Sequence, residues 1–165
     1  MPRWIESAPN IMRWGHVETT ARVRWGECDS QGHAYYGSYI PWFDLGRETY
    51  ALEVGVEFWK YKIATTEFQV RYHAPARYLD DLVIKTWAIT PIVQLKCYYE
   101  IYRKQGGQLI AEAHSCHVVV DPAGGLRMRA PRELHDRFEK FLADKKAAIT
   151  GTGTSAPRPE SSRQV

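Results

Sequence analysis

The sequence has few of the features that mark membrane and secreted proteins. No apolar run approaches the roughly 20 residues of a membrane-spanning helix. The N-terminal stretch MPRWIESAPNIMRW has no apolar core of the kind found in secretory signals. The chain has only three cysteines, and their positions do not form a disulfide framework. We therefore expect a cytoplasmic protein with free thiols and no membrane partner.

The sequence also has little net charge. The formal net charge is +3, and nine of the 22 Lys and Arg residues but only five of the 19 acidic residues follow Leu126. The basic excess therefore lies at the C-terminal end. A folded domain that binds nucleic acid needs a basic face, so we expect no nucleic-acid partner. The composition is otherwise ordinary: 165 residues, 44% of them hydrophobic, suffice for one domain with its own core.

Hydrophobic periodicity predicts a strand, a long helix, four further strands and a final helix. Apolar residues recur at helical spacing over residues 38–54, and Gly55 marks the end of this helix. Gly46 in its middle weakens a helix unless a neighbour packs closely there. A shorter helix is predicted at 131–142. Strand patterns occupy residues 17–25, 66–74, 82–90, 94–104 and 108–121.

This order of elements predicts the fold. Strands joined by short turns pair antiparallel, and a long helix and a sheet bury their apolar faces on each other. We therefore expect an α+β fold, a five-stranded antiparallel sheet wrapped around a long central helix. The predicted division is an N-terminal extension at 1–16, a domain at 17–142 and a disordered tail at 143–165, which lacks an apolar period.

The loop WGECDSQGHAYYGSY, residues 25–39, is the most unusual stretch of the chain. It contains the acid Asp29 and the histidine His33, and it is rich in aromatic residues: Trp25, Tyr35, Tyr36 and Tyr39. Connecting loops favour Ser, Asn, Gly and Pro instead. We therefore interpret this loop as the candidate functional site.

The loop resembles a known family. The pattern Asp-x-x-Gly-His-(small)-x-x-x-x-Tyr leads into the long helix, and its positions are Asp29, Gly32, His33, Ala34 and Tyr39. This pattern resembles that of the hotdog-fold acyl-CoA thioesterases of the 4-hydroxybenzoyl-CoA thioesterase type. The stretch YHAPARYLDDLVI, at 72–84, also resembles that family. The resemblance implies a hotdog fold, hydrolysis of an acyl- or aryl-CoA thioester without a cofactor, and a homodimer or homotetramer with pockets between the copies.

The resemblance also assigns roles within the loop. Asp29 attacks the thioester or activates water, and the backbone N–H of Tyr36 polarises the thioester carbonyl. Helix starts offer unpaired N–H groups and the positive end of a dipole, which suit a developing oxyanion. His33 orients Asp29 or a water. The predicted substrate-binding residues are Tyr35, Gly37, Tyr39 and Trp42.

Several alternatives stay open. Asp29 and His33 can be local hydrogen-bonding residues of a turn, the aromatic residues can be core, and Asp44 and Glu48 on the long helix are rival acids. The protein can also be an acyl-carrier-protein thioesterase, a 3-hydroxyacyl thioester dehydratase or a non-catalytic binding module. His114, Cys116 and His117 are candidate zinc ligands. A strand places only two of them on one face, fewer than zinc needs, so we expect no metal.

Overall fold

The computed structural model describes residues 13–57, 60–121, 123–125, 127 and 129–151. Within them, five antiparallel strands form one sheet in the order β1-β3-β4-β5-β2. The strands are β1 (Val17–Arg22), β2 (Lys62–Tyr72), β3 (Asp81–Ile89), β4 (Leu95–Arg103) and β5 (Leu109–Val120). The helices are α1 (Tyr39–Val54) and α2 (Arg132–Thr150). The predicted five-stranded antiparallel sheet with a long helix is confirmed.

The long helix α1 packs against the sheet through its apolar face. Phe43 is fully buried, and its ring lies 5.2 Å from that of Tyr99 on β4. The close partner expected for Gly46 is β3, because a Cβ at position 46 would lie 2.9 Å from the Ile84 Cγ2 atom and still closer to Thr86. Gly46 therefore lets the helix backbone approach the sheet.

Strand β2 starts four residues earlier than predicted. Its pairing register with β5 shifts between Thr65 and Glu67. A bulge of this kind inserts one extra residue and interrupts the alternation of faces. The alternating pattern therefore becomes recognisable in the sequence only after the irregularity, which explains why the prediction missed residues 62–65.

The final helix is longer than predicted, and the expected start of the disordered tail at residue 143 is wrong. Helix α2 continues to Thr150, where Gly151 takes a left-handed φ of 72°. The apolar stripe stops at Leu142, but alanine and lysine residues beyond it favour helix without a buried face. The rest of the predicted tail, 152–165, lies outside the described residues.

Part of the predicted N-terminal extension belongs to the packed domain. Residues Arg13–Gly15 form a single 3₁₀ turn that contacts α2. A Cβ at Gly15 would lie 2.8 Å from the Leu142 Cδ2 atom, so this turn packs closely against the helix. Residues 1–12 of the extension lie outside the described residues. No helix in the described part of the chain is both long and apolar enough to span a bilayer.

Candidate active site

Asp29 begins a tight turn between β1 and α1. The Gly32 N–H donates to the Asp29 carbonyl at 3.1 Å, and the Asp29 N–H donates to the His33 carbonyl at 2.9 Å. Gly32 has a φ of 80°, a left-handed conformation that glycine adopts readily. The Asp29 Oδ1 atom accepts from the Gln31 N–H at 2.8 Å. One carboxylate oxygen therefore stabilises the turn, which matches the alternative that Asp29 is a hydrogen-bonding residue of a turn.

The second carboxylate oxygen, Oδ2, makes no hydrogen bond with the residues that the structure describes. The side chain of Asp29 is 31% exposed, and that of His33 is 34% exposed. The His33 Nδ1 atom lies 4.0 Å from Asp29 Oδ1, beyond hydrogen-bond length. His33 and Asp29 therefore lie within ion-pair range, but no direct hydrogen bond joins them. Asp29 keeps one oxygen free for chemistry.

The chain enters α1 through a short 3₁₀ turn, Tyr36–Ser38. The flanking amides are used: the Tyr35 N–H donates to the Glu27 carbonyl at 2.9 Å and the Ser38 N–H to the Tyr35 carbonyl at 2.8 Å. Among the described residues, the N–H groups of Tyr36 and Gly37 have no acceptor, as is usual for the first amides of a helix. The backbone donor predicted at Tyr36 is thus available.

Asp29 and Tyr36 border the same cleft, which has a volume of about 440 Å³. The cleft also contains residues that sequence reasoning did not name as site residues, Tyr72 and His73 at the end of β2. Only the family-like stretch that starts at Tyr72 signalled their relevance. His73 is held by Glu112, whose Oε1 atom lies 3.3 Å from His73 Nε2.

The predicted aromatic residues divide into two groups. Tyr39 and Trp42 are each only 3% exposed and belong to the core. Tyr39 borders the cleft, and its hydroxyl accepts from the Ala76 N–H at 3.0 Å. Burial raises the pKa of Tyr39, so this hydroxyl stays protonated at neutral pH. Tyr35 and Tyr36 are exposed, with ring centroids 4.2 Å apart.

Gly37 is crowded rather than open. A Cβ at position 37 would lie 2.7 Å from Cε1 of Tyr35. The small residue at 37 therefore makes room for the Tyr35 ring. Ser38 precedes α1, but its hydroxyl donates to the Glu27 carbonyl at 2.9 Å and does not cap the helix.

The rival acids lie elsewhere. Asp44 and Glu48 border a separate cleft of about 870 Å³, together with Trp25 and Trp42. Asp44 pairs with Arg47 at 2.9 Å. Neither acid borders the cleft of Asp29 and Tyr36.

Glu27, the other acid of the loop, is engaged by structural bonds. Its carboxylate accepts from the Arg24 N–H at 2.7 Å and pairs with the Arg24 guanidinium at 3.0 Å. It also accepts from Trp42 Nε1 at 3.3 Å. Glu27 therefore joins the turn to α1 and has little freedom for catalysis.

A polar network is buried on the inner face of β5, away from the cleft. His117 is 1% exposed; its Nε2 atom lies 2.7 Å from Ser115 Oγ, and its Nδ1 atom lies 3.1 Å from Thr65 Oγ1. Burial, together with the nearby charge of Arg47, lowers the pKa of His117 to about 4. His117 is therefore neutral at pH 7. In the part of the chain that the structure describes, no three His, Cys, Asp or Glu residues cluster as metal ligands.

Comparison with known proteins decides the family. The model of the thioesterase-like superfamily matches residues 23–138, which include the turn of Asp29, α1 and strands β2 to β5. The chain belongs to the thioesterase-like superfamily. Membership confirms the predicted resemblance, and it confirms at the level of the family that this thioesterase-like protein is a thioester hydrolase.

Individual relatives of this thioesterase-like chain agree with the family. A Bacillus subtilis (strain 168) protein named "Putative acyl-CoA thioesterase YneP" is 27% identical over 106 residues, covering 60% of this chain and 75% of that protein. DHNA-CoA thioesterase from Staphylococcus aureus superposes with a TM-score of 0.71 at 21% identity, covering 84% of this chain and 97% of that one.

A third relative has been solved with a ligand. It is an Asp-to-Asn mutant of 4-hydroxybenzoyl-CoA thioesterase in complex with 4-hydroxybenzoyl-CoA. It superposes with a TM-score of 0.66 at 20% identity, covering 74% of this chain and 97% of that one. At these identities the likeness to solved structures shows the fold alone, and it confirms the predicted hotdog fold.

Proposed function

We propose that this protein hydrolyses an acyl- or aryl-CoA thioester to a free acid and the CoA thiol. One observation carries the proposal: the carboxylate of Asp29 and Tyr36, whose N–H is free at the start of α1, border the same cleft. The pairing supplies the two groups that thioester hydrolysis needs, a nucleophile or base and an oxyanion donor. Membership of the thioesterase-like superfamily supports the reaction class.

The chemistry follows from these two groups. In one mode, Asp29 removes a proton from a water whose oxygen attacks the thioester carbon. In the other, the carboxylate itself attacks and forms an anhydride that water then hydrolyses. Either attack moves an electron pair onto the carbonyl oxygen, which accepts from the Tyr36 N–H. When the carbonyl re-forms, the C–S bond breaks, and the thiolate takes up a proton.

The remaining predicted site residues support this arrangement in different ways. His33 borders the cleft 4.0 Å from Asp29, and in this proposal it orients Asp29 or a water beside it. Tyr39 forms part of the cleft wall, and Trp42 packs behind it, with ring centroids 4.9 Å apart. The Tyr35 ring packs on Gly37, in the turn that leads into α1. These residues position the reacting groups and exclude bulk water.

The wall of the cleft favours an aromatic or medium-sized apolar acyl group. Three tyrosines border it: Tyr36, Tyr39 and Tyr72. Tyrosine rings bury apolar area and stack on other rings, so they complement an aryl thioester. Two relatives, DHNA-CoA thioesterase and 4-hydroxybenzoyl-CoA thioesterase, also carry aryl-CoA substrates in their names.

We also propose that two copies join along β2 and that each completes the cleft of the other. Strands β1 and β2 are the two edges of the sheet, and exposed edges are usually covered. The last residue of β2, Tyr72, borders the cleft. A second sheet added along β2 therefore brings its own residues to the cleft.

All three cysteines are free thiols, which suits the cytoplasm.

The test is free-thiol release from a panel of alkyl-CoA, aryl-CoA and acyl-carrier-protein thioesters. Wild type is compared with Asp29→Asn and with Glu48→Gln, a matched loss of one charge in the other cleft. We expect hydrolysis of at least one CoA ester, a loss of about 10²-fold or more in Asp29→Asn, a general-base-sized effect, and wild-type rates in Glu48→Gln. Activity lost in Glu48→Gln instead would move the chemistry to α1.

A further inference from the structure

The phenol of Tyr72 contacts the main chain of the 3₁₀ turn that precedes α1. Its hydroxyl donates to the main-chain carbonyl of Tyr36 at 2.9 Å. Tyr36 carries the N–H that the proposed function assigns to the oxyanion. The contact joins residues 36 positions apart, so the end of β2 holds the residue whose backbone would do the chemistry.

The Tyr72 side chain is itself fixed from two directions. Its ring meets the ring of Tyr39 edge-on, with centroids 5.0 Å apart and planes at 81°, and Tyr39 is buried and bonded to the Ala76 N–H. The next N–H along the chain, that of His73, donates to the Ile110 carbonyl at 2.8 Å and pins the end of β2. The hydroxyl is therefore presented by a rigid support.

A bond to the Tyr36 carbonyl restrains the orientation of the whole residue. The peptide that joins Tyr36 to Gly37 is planar, so holding its carbonyl holds the Gly37 N–H on the opposite side. The same bond limits rotation about ψ of Tyr36 and hence fixes the angle between that carbonyl and the Tyr36 N–H. An oxyanion donor is effective only when it is aimed beforehand at the developing charge.

We infer that Tyr72 is a positioning residue for thioester hydrolysis, whose hydroxyl holds the Tyr36 backbone so that its N–H is aimed at the carbonyl oxygen of the substrate. The inference rests on the proposed function. It gives β2 a role in catalysis besides pairing, through a hydroxyl that touches main chain rather than substrate.

The test compares Tyr72→Phe with Tyr78→Phe. Both substitutions remove one hydroxyl from a half-exposed tyrosine, but Tyr78 packs against Trp25 outside the cleft. In Tyr72→Phe we expect kcat to fall about tenfold, less than the ~10²-fold or greater loss of a whole oxyanion donor. KM should stay within about twofold of wild type, because the donor acts in the transition state. Tyr78→Phe should match wild type.

A second readout needs no substrate. The amide signal of Gly37 in a ¹⁵N-correlated NMR spectrum reports on the hydrogen bond to the adjoining Tyr36 carbonyl, and it should move in Tyr72→Phe and stay in place in Tyr78→Phe. A tenfold lower kcat together with a shifted Gly37 signal supports the inference. An unchanged kcat, or a lower kcat without a shift of Gly37, overturns it.

The proposed function and this inference fail in different ways. If wild type hydrolyses a CoA ester and Asp29→Asn does not, but Tyr72→Phe has wild-type kcat, only the positioning role is wrong. If wild type hydrolyses no thioester of the panel, the proposed function fails, and the inference fails with it.

Discussion

The buried histidine on β5 makes the stability of this protein depend on pH in a defined window. His117 is held as a neutral ring between the hydroxyls of Ser115 and Thr65, each of which can donate or accept. The Ser115 hydroxyl in turn bonds the Tyr99 hydroxyl at 2.8 Å. Burial and the charge of Arg47 disfavour the protonated ring, and Asp44 opposes them weakly.

The magnitude follows from the pKa of His117. Its ordinary value is 6.5 and its value in the fold is about 4, and each unit of difference corresponds to about 1.4 kcal/mol. In the unfolded chain His117 binds a proton below pH 6.5, whereas in the folded protein it binds one only below about pH 4. The neutral ring therefore contributes about 3 kcal/mol above pH 6.5, and this contribution is lost as the pH falls from 6.5 towards 4.

The assay is urea unfolding of wild type, His117→Gln and His135→Gln at several pH values between 7 and 4. Gln cannot take up a proton, so His117→Gln should start less stable at pH 7 but should lose about 3 kcal/mol less than wild type on acidification. Carboxylates that titrate in this range are common to all three proteins. His135→Gln, at a more exposed histidine on α2, is the control for replacing a histidine by glutamine. Equal losses of stability in wild type and His117→Gln on acidification would show that His117 does not set this pH dependence.

Two further substitutions test how the helix and the cleft wall are held. Gly46→Ala should destabilise the fold by about 1–3 kcal/mol in thermal unfolding, because overpacking against Ile84 and Thr86 outweighs the better helix propensity of alanine; a higher melting temperature would contradict the close approach. Tyr39→Phe leaves the buried Ala76 N–H without its acceptor and should cost about 1–3 kcal/mol in urea unfolding, while KM for the best thioester stays near that of wild type. A large rise in KM with unchanged stability would make Tyr39 a substrate contact rather than a wall residue.

The fold was predictable because most elements have a local signature. The apolar spacing of α1, the alternation in β1 and β4 and the glycines at the turns each act within a few residues. The predicted first strand ran to Trp25, but β1 ends at Arg22 and Trp25 begins a 3₁₀ turn. Other boundaries were missed where the local signal fails. The bulge near Thr66 interrupts the alternation of β2, and the last turns of α2 are helical by propensity alone, without an apolar stripe.

The site was predictable only in part, because its geometry depends on contacts between distant segments. The sequence places Asp29 seven residues before Tyr36, and both border one cleft. It does not reveal that Gly37 accommodates the Tyr35 ring or that Trp42 bonds Glu27. The Tyr72 contact with Tyr36 joins β2 to the turn before α1 and has no signature in either segment.

The central claim is that Asp29 hydrolyses a CoA thioester with the help of the Tyr36 N–H. The most direct measurement is kcat for thiol release by Asp29→Asn on the best CoA ester of the panel, with folding checked by urea unfolding. We expect Asp29→Asn to fold, with a kcat lower by about 10²-fold or more. A folded Asp29→Asn protein with a kcat near that of wild type would contradict it.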